Sequence, residues 1–322
     1  MKPKKPKTSN YEKNLAMIKS THDLPDQEAV VILLDCVKKG SPLAAVKAVR
    51  LMAERDHPTD LQSLIEAYDW IEADPNKRDV DCHVRQVIAG ALGDWGSPLS
   101  VAILRKAVRT VKISFMDDLA IGLRATAAIS LAKVDPDALY ELSLLLFDDN
   151  EKNVPVRMAA AQALSVLGDP GGMLLLAIKL KFPQNEAPEV LAECLESLIF
   201  MNPPYLMEIV KPYLRSNDEY LTSIAALALA ENRGAEVLDL LLEILEQAVR
   251  ETKETIVVAI SLTRCNEARQ LLLDYLGHQS YFVRRGAVKG LKAYLDDEVR
   301  EKLQIIHATD REESVRLEAS LD

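Results

Sequence analysis

Apolar residues recur three, four and seven positions apart along most of the chain, and the stretch from Val156 to Leu167 shows this most plainly. At 3.6 residues per turn, Val156, Ala160, Ala163, Leu164 and Leu167 share one face, so the pattern predicts a helix with one buried stripe. Gly168 can take the left-handed conformation that ends such a helix, and Pro170 can open the next one. The predicted unit is therefore a helix, a tight turn and a new helix.

The same grammar recurs. Val84-Arg85 precedes Ala91-Leu92-Gly93-Asp94-Trp95-Gly96-Ser97-Pro98, and Leu123-Arg124 precedes Ala127, Leu131 and Asp135-Pro136. Further copies lie at Val283-Arg284 with Ala287 and Leu291, and at Val315-Arg316 with Ala319. Weaker copies centre on Ala45, Leu191, Thr222 and Thr255, and successive equivalents of Arg157 lie 29 to 40 residues apart, about 34 on average. A period of that length belongs to arrays of helical hairpins, in which each unit buries its apolar stripe only by stacking on its neighbours. The first hairpin pairs Asp26–Lys39 with Pro42–Arg55, and longer connections are needed at Asp74–Asp79 and Lys112–Asp118.

On these residues the chain resembles the HEAT-repeat family. The likeness is to the bacterial phycobilisome-lyase-like branch, whose second helix reads Val-Arg-x-x-Ala-Ala-x-Ala-Leu-Gly. Tetratricopeptide arrays have a similar period, but their aromatic and glycine signature is missing. The resemblance covers residues 25–322 at the level of architecture and departs from the pattern in the fifth to seventh units, where the Val-Arg pair and the terminal Gly are lost. It implies an all-α fold, an α-α superhelix (HEAT-like solenoid) of about nine stacked hairpins, behind a basic and flexible tail at residues 1–24. Nine units would make a curved rod of about 80 Å with extended surface rather than a pocket.

Composition agrees with an all-helical reading. Hydrophobic residues make up 48% of the chain, with only 12 Gly and 5% aromatics, which suits helices far better than sheets and supplies a core without disulfides or a metal. Cys36, Cys82, Cys194 and Cys265 are far apart and read as buried free thiols. The lysine-rich N-terminus runs into polar residues rather than an apolar signal core, and apolar runs such as Leu142–Phe147 are too short to span a bilayer. These features predict a reducing, cytoplasmic location and no membrane partner. Net charge is −10, but residues 1–20 carry +5, which leaves −15 on the rest.

No catalytic constellation is legible: glycine-rich phosphate loops, paired zinc-ligand motifs and nucleophile elbows are all missing. Asp81-Cys82-His83 is the one place where ligand-type side chains adjoin, yet consecutive helical positions point about 100° apart and cannot grip one ion. The runs Asp148-Asp149-Asn150-Glu151 and Asp296-Asp297-Glu298 read as solvated turns that cap the next helix. Trp70 and Trp95 read as packing residues. Arg85, Arg124, Arg157, Arg284 and Arg316 recur at one position of every good unit, as a structural ladder between hairpins would require, although a phosphate-binding role competes.

Function is expected on the concave side, which second helices line in a HEAT solenoid. Positions opposite the buried stripe, those matching Met158 and Gln162, include Gln86, Ile129, Glu196, Ile256, Ile260, Arg285 and Lys289. Much of the middle of this row is small or apolar, which would suit an apolar ridge of a partner protein. The cluster Arg284, Arg285, Lys289 and Lys292 offers a possible acidic-partner site. The leading expectation is a noncatalytic scaffold or adaptor that binds protein and needs no cofactor or metal. The resemblance adds two rivals, a bilin lyase or lyase-like chaperone and a nucleic-acid binder like the HEAT-like DNA glycosylases. The acidic body disfavours the second.

Overall fold

The computed structural model describes residues 10–54, 61–150, 153–183 and 185–321. Arg55 and Glu151, which the sequence places at the end of the first hairpin and in an acidic turn, lie outside them, as do residues 1–9 of the basic tail. The fold is all-α, and the chain divides into two compact units, Met1–Gly172 and Met173–Asp322.

The first unit opens with α1 (Asn10–Ser20), followed by α2 (Asp26–Lys39), α3 (Pro42–Glu54), α4 (Leu61–Glu72), α5 (Pro75–Arg78) and α6 (His83–Asp94). It continues with α7 (Val101–Ala107), a small hairpin of β1 (Ile113–Ser114) and β2 (Asp117–Asp118), α8 (Ile121–Val134), α9 (Leu139–Leu146) and α10 (Val154–Leu167). Helices α3, α6, α8 and α10 pack side by side in sequence order as one layer, and α2, α4, α7 and α9 each lie against their own partner as the other. Helix α1 is a correction to the flexible tail expected over residues 1–24. Ile18 is buried, and α1 packs on both α2 and α3. The predicted long connections hold α5 and the β-hairpin.

The second unit repeats the plan. After α11 (Pro170–Lys181) come α12 (Pro188–Met201), α13 (Leu206–Leu214), α14 (Glu219–Arg233), α15 (Leu238–Gln247), α16 (Arg250–Leu262), α17 (Asn266–Tyr275), α18 (Tyr281–Leu291), α19 (Asp297–Thr309) and α20 (Glu313–Glu318). Its second-helix layer runs α12, α14, α16, α18, α20.

Small residues set the helix spacing in the second-helix layer of the first unit. A Cβ added at Gly93 of α6 would lie 2.4 Å from the Ser130 Cβ of α8, so the two helices touch where glycine leaves no side chain. Gly168 ends α10 with φ +69° and its N–H on the Leu164 carbonyl, as the sequence pattern predicts. Cys36, Cys82 and Cys194 are buried free thiols, and Cys265 is half-buried. Among the described residues no helix is long and apolar enough to cross a membrane.

Candidate functional site

The repeated arginine is the first candidate to be placed. Arg85, Arg124, Arg157 and Arg284 are all buried, and each reaches into the loop that precedes its own helix. Arg85 Nε donates to Asp79 Oδ2 at 3.1 Å, and Arg157 Nη1 donates to the Asn150 carbonyl at 2.7 Å. Arg124 donates to the Thr110 carbonyl at 3.0 Å and to the Asp118 carboxylate, then reaches Asn153 of the following hairpin at 2.9 Å. Arg284 does the same at the other end of the chain. It donates to the His278 carbonyl at 2.9 Å and grips Asp310 of the next hairpin with two bonds of 2.7 and 2.9 Å. Arg316 Nη1 donates to the Asp310 carbonyl at 2.6 Å, so two successive rungs share one residue.

A guanidinium spends its donors on loop carbonyls because those carbonyls, turned out of helical geometry and buried, would otherwise lack partners. Thr222 performs this service in a unit without arginine: its Oγ1 donates to the Tyr213 carbonyl at 3.0 Å. The ladder is structural, and the four buried rungs Arg85, Arg124, Arg157 and Arg284 do not present their charge for a phosphate.

The solvent side of the second-helix layer is the second candidate. In the first unit Gln86 is half-buried, with Nε2 donating to Thr126 Oγ1 at 3.2 Å. Ile129 of α8 and Met158 of α10 are half-buried on adjacent helices, and Gln162 is exposed. These four residues lie on one helix layer and stay accessible. In the second unit Glu196 is exposed as well, while Ala192, one turn before it, is buried.

Ile256 and Ile260 are the correction. Both are 0% exposed, so they are core and belong to no contact surface. The reason is a two-residue slip: the α16 buried set Thr252, Ile256, Val257, Ala259 and Ile260 matches Val156, Ala160, Ala161, Ala163 and Leu164 of α10 only if Lys253, not Thr255, stands where Arg157 does. That alignment puts Glu254 at the Met158 position. Its carboxylate accepts from Arg285 Nε at 2.7 Å and lies 2.7 Å from the Lys289 ammonium. Burial alone would raise the Glu254 pKa, but the hydrogen bonds from Arg285 and Lys289 outweigh it and hold the group ionised below its ordinary value.

The basic cluster near the C-terminus is therefore neutralised from within. Arg284 is tied to Asp310, Arg285 and Lys289 to Glu254, and Lys292 to Glu318 at 3.0 Å. An acidic partner would have to displace these bonds, so the expected acidic-partner site is not a free cationic surface.

The remaining sequence candidates are scattered. Asp81 and His83 point into solvent while Cys82 is buried, with Sγ 3.1 Å from Arg85 Nη2. Among the described residues no group of three or more His, Cys, Asp or Glu is placed to hold a metal ion. Asp296 caps α19 by accepting the Val299 N–H. Trp95 is half-buried, and Trp70 is half-buried beneath the Arg78 guanidinium, 4.0 Å from the ring centroid.

Two features lie outside the sequence reading. One is a cleft of about 560 Å³ in the first unit, lined by Glu72, Arg105, Lys106 and Arg109, whose cations are paired with Glu72, Asp135 and Glu141. The other is the β-hairpin. Its sequence signal is the apolar alternation Val111, Ile113, Phe115, too short to separate from a loop. No family model matches the chain, and no curated protein matches it.

Proposed function

We propose that this chain is a noncatalytic, HEAT-type repeat scaffold of the cytoplasm that binds a partner protein on the solvent side of its second-helix layer. The observation that carries the reading is the pair Ile129 and Met158, two large apolar side chains that adjacent helices leave half-buried rather than fully packed, with Gln162 exposed on the same helix as Met158. Apolar side chains at such positions are incompletely packed by their own chain, and a partner that covers them gains the burial of the area still in water. Protein is favoured over nucleic acid because four of the five repeated arginines, Arg85, Arg124, Arg157 and Arg284, are buried in loop contacts and the chain carries net charge −10. The free thiols support a reducing compartment.

The test separates folding from binding. Ile129→Glu combined with Met158→Glu is expected to keep the helical spectrum and cost about 1 kcal/mol each or less, because each charge remains hydrated. Capture of the protein that wild type retains from a native lysate is expected to fall at least tenfold. Undiminished capture by the folded double variant rejects this face as the binding surface.

A further inference from the structure

Arg85, Arg124, Arg157, Arg284 and Arg316 share one repeat position, which α14 fills with Thr222. Two of the rungs show what an arginine does there. Arg124 donates to the Thr110 carbonyl and the Asp118 carboxylate in the loop before its own helix, then crosses to Asn153 before the next. Arg284 makes the same crossing, from the His278 and Gln279 carbonyls to the Asp310 carboxylate. In both, the guanidinium fills the space between two successive loops and meets oxygen acceptors on either side.

At α14 that space is a cleft. It measures about 280 Å³ and lies between the loop that precedes α14 and the loop that precedes α16, lined by Leu214, Ser216, Glu219, Thr222, Val249 and Thr252. Threonine is far shorter than arginine and carries no charge. Thr222 Oγ1 meets the Tyr213 carbonyl at 3.0 Å and the Ser216 carbonyl only at 3.4 Å. A carboxylate, such as Asp118 and Asp310 supply to the other rungs, is still present here in Glu219, the first residue of α14. It accepts from the Thr252 hydroxyl at 3.1 Å, and among the described residues no cation is paired with it. Arg215, also at the cleft, is turned to Glu243 at 2.5 Å, which leaves Glu219 as the uncompensated charge.

The cleft therefore keeps the acceptors of a rung and lacks its donor. A guanidinium presents five N–H donors in a rigid planar fork, which suits a carboxylate and carbonyls spread over two loops, whereas an ammonium gathers three donors at one point. Entry is from solvent, because Glu219 and Val249 are exposed while Thr222 and Thr252 are buried behind them.

We propose that this cleft binds the guanidinium of an arginine from outside the chain, seated on Glu219 and the loop before α14 where a rung would otherwise lie. The site belongs wholly to the second unit and does not depend on the binding face proposed for the first.

Methyl NMR of the full chain tests this, with Leu214, Ile244 and Val249 at the cleft as reporters. Acetyl-arginine amide is expected to shift their signals saturably with a Kd of roughly 1–10 mM, and acetyl-lysine amide to bind about tenfold more weakly or not at all. Glu219→Gln, at an exposed position, is expected to fold and to raise the Kd roughly threefold or more. Thr222→Arg rebuilds the rung: it is expected to keep the helical spectrum and to abolish the shifts, because its own guanidinium fills the cleft. Free L-arginine, run in parallel, identifies the source. Equal affinity for the capped residue makes the ligand another protein's side chain, whereas free arginine bound about tenfold more tightly makes it the amino acid, and the proposal holds in both cases. No saturable shift in wild type, an equal response to the lysine amide, or a folded Thr222→Arg protein that still binds overturns it. Should Thr222→Arg fail to fold, an unchanged Kd in Glu219→Gln overturns it alone.

Discussion

Ile260→Glu is expected to lose more than about 4 kcal/mol, enough to unfold much of the second unit, because it places an unpaired carboxylate in a core position and removes a packed side chain. Ile260 is fully buried on α16 beside Ile256 and Val257. Typical domains hold only about 5–15 kcal/mol in total, so the loss is a large part of what is present. Val258→Glu, at the half-buried position that the two-residue slip sets opposite Gln162, is expected to cost about 1 kcal/mol. Urea denaturation followed by circular dichroism reads both. If the costs came out in the reverse order, Thr255 rather than Lys253 would occupy the arginine position and the alignment of α16 would be wrong.

Asp310→Ala is expected to destabilise by about 3–5 kcal/mol, because it strands the buried Arg284 charge that its carboxylate grips at both oxygens. It also frees the loop whose carbonyl holds Arg316. The hydrogen bonds from Arg284 come first among the influences that hold the Asp310 pKa below the usual carboxylate range, and they outweigh burial. A depressed folded pKa means that the stability this group contributes is complete above its unfolded value of about 4 and drains away as pH falls through the lower folded value. Wild type is therefore expected to lose stability below about pH 4 by an increment that the Asp310→Ala protein, already without it, does not show. An equal acid response in both proteins, in parallel denaturation series, would contradict the assignment.

The arginine rungs explain which parts of the fold could be read from the sequence. Where a unit keeps Val-Arg, the guanidinium needs buried loop carbonyls around it, and that need ties one sequence position to one place in the hairpin. Arg85, Arg124, Arg157 and Arg284 accordingly fixed their helices correctly. In α14 the rung is a threonine, whose hydroxyl reaches the Tyr213 carbonyl, and the buried stripe of Ala225, Ala226 and Leu229 still fell where expected. In α16 neither signal survives. Thr252, Thr255, Ile256 and Val257 allow two registers with apolar faces of nearly equal quality, and the wrong one turned two core isoleucines into surface residues.

Other features had no periodic signal to follow. Helix α1 buries little beyond Ile18 and Asn14, so its sequence reads as a polar tail until α2 and α3 supply a surface for it. The β-hairpin has two residues per strand, and its most conspicuous residue, Phe115, would be assigned to a core by hydrophobicity alone. The neutralised cations at the end of the second unit escaped because Glu254 and Glu318 lie 31 and 26 residues from the bases they meet, on neighbouring helices that only the packing brings together.

The central claim is that a protein partner lies on the second-helix layer of the first unit, and site-specific photo-crosslinking tests it most directly. A photoreactive phenylalanine analogue at Gln162, which is solvent-exposed on α10, is compared with the same analogue at Leu144, exposed on α9 of the other layer. Irradiation in native lysate is expected to give one discrete protein adduct from position 162, absent from position 144 and lost when Ile129→Glu and Met158→Glu are added. An adduct from position 144 with none from 162, or one from 162 that survives both glutamates, would contradict the account.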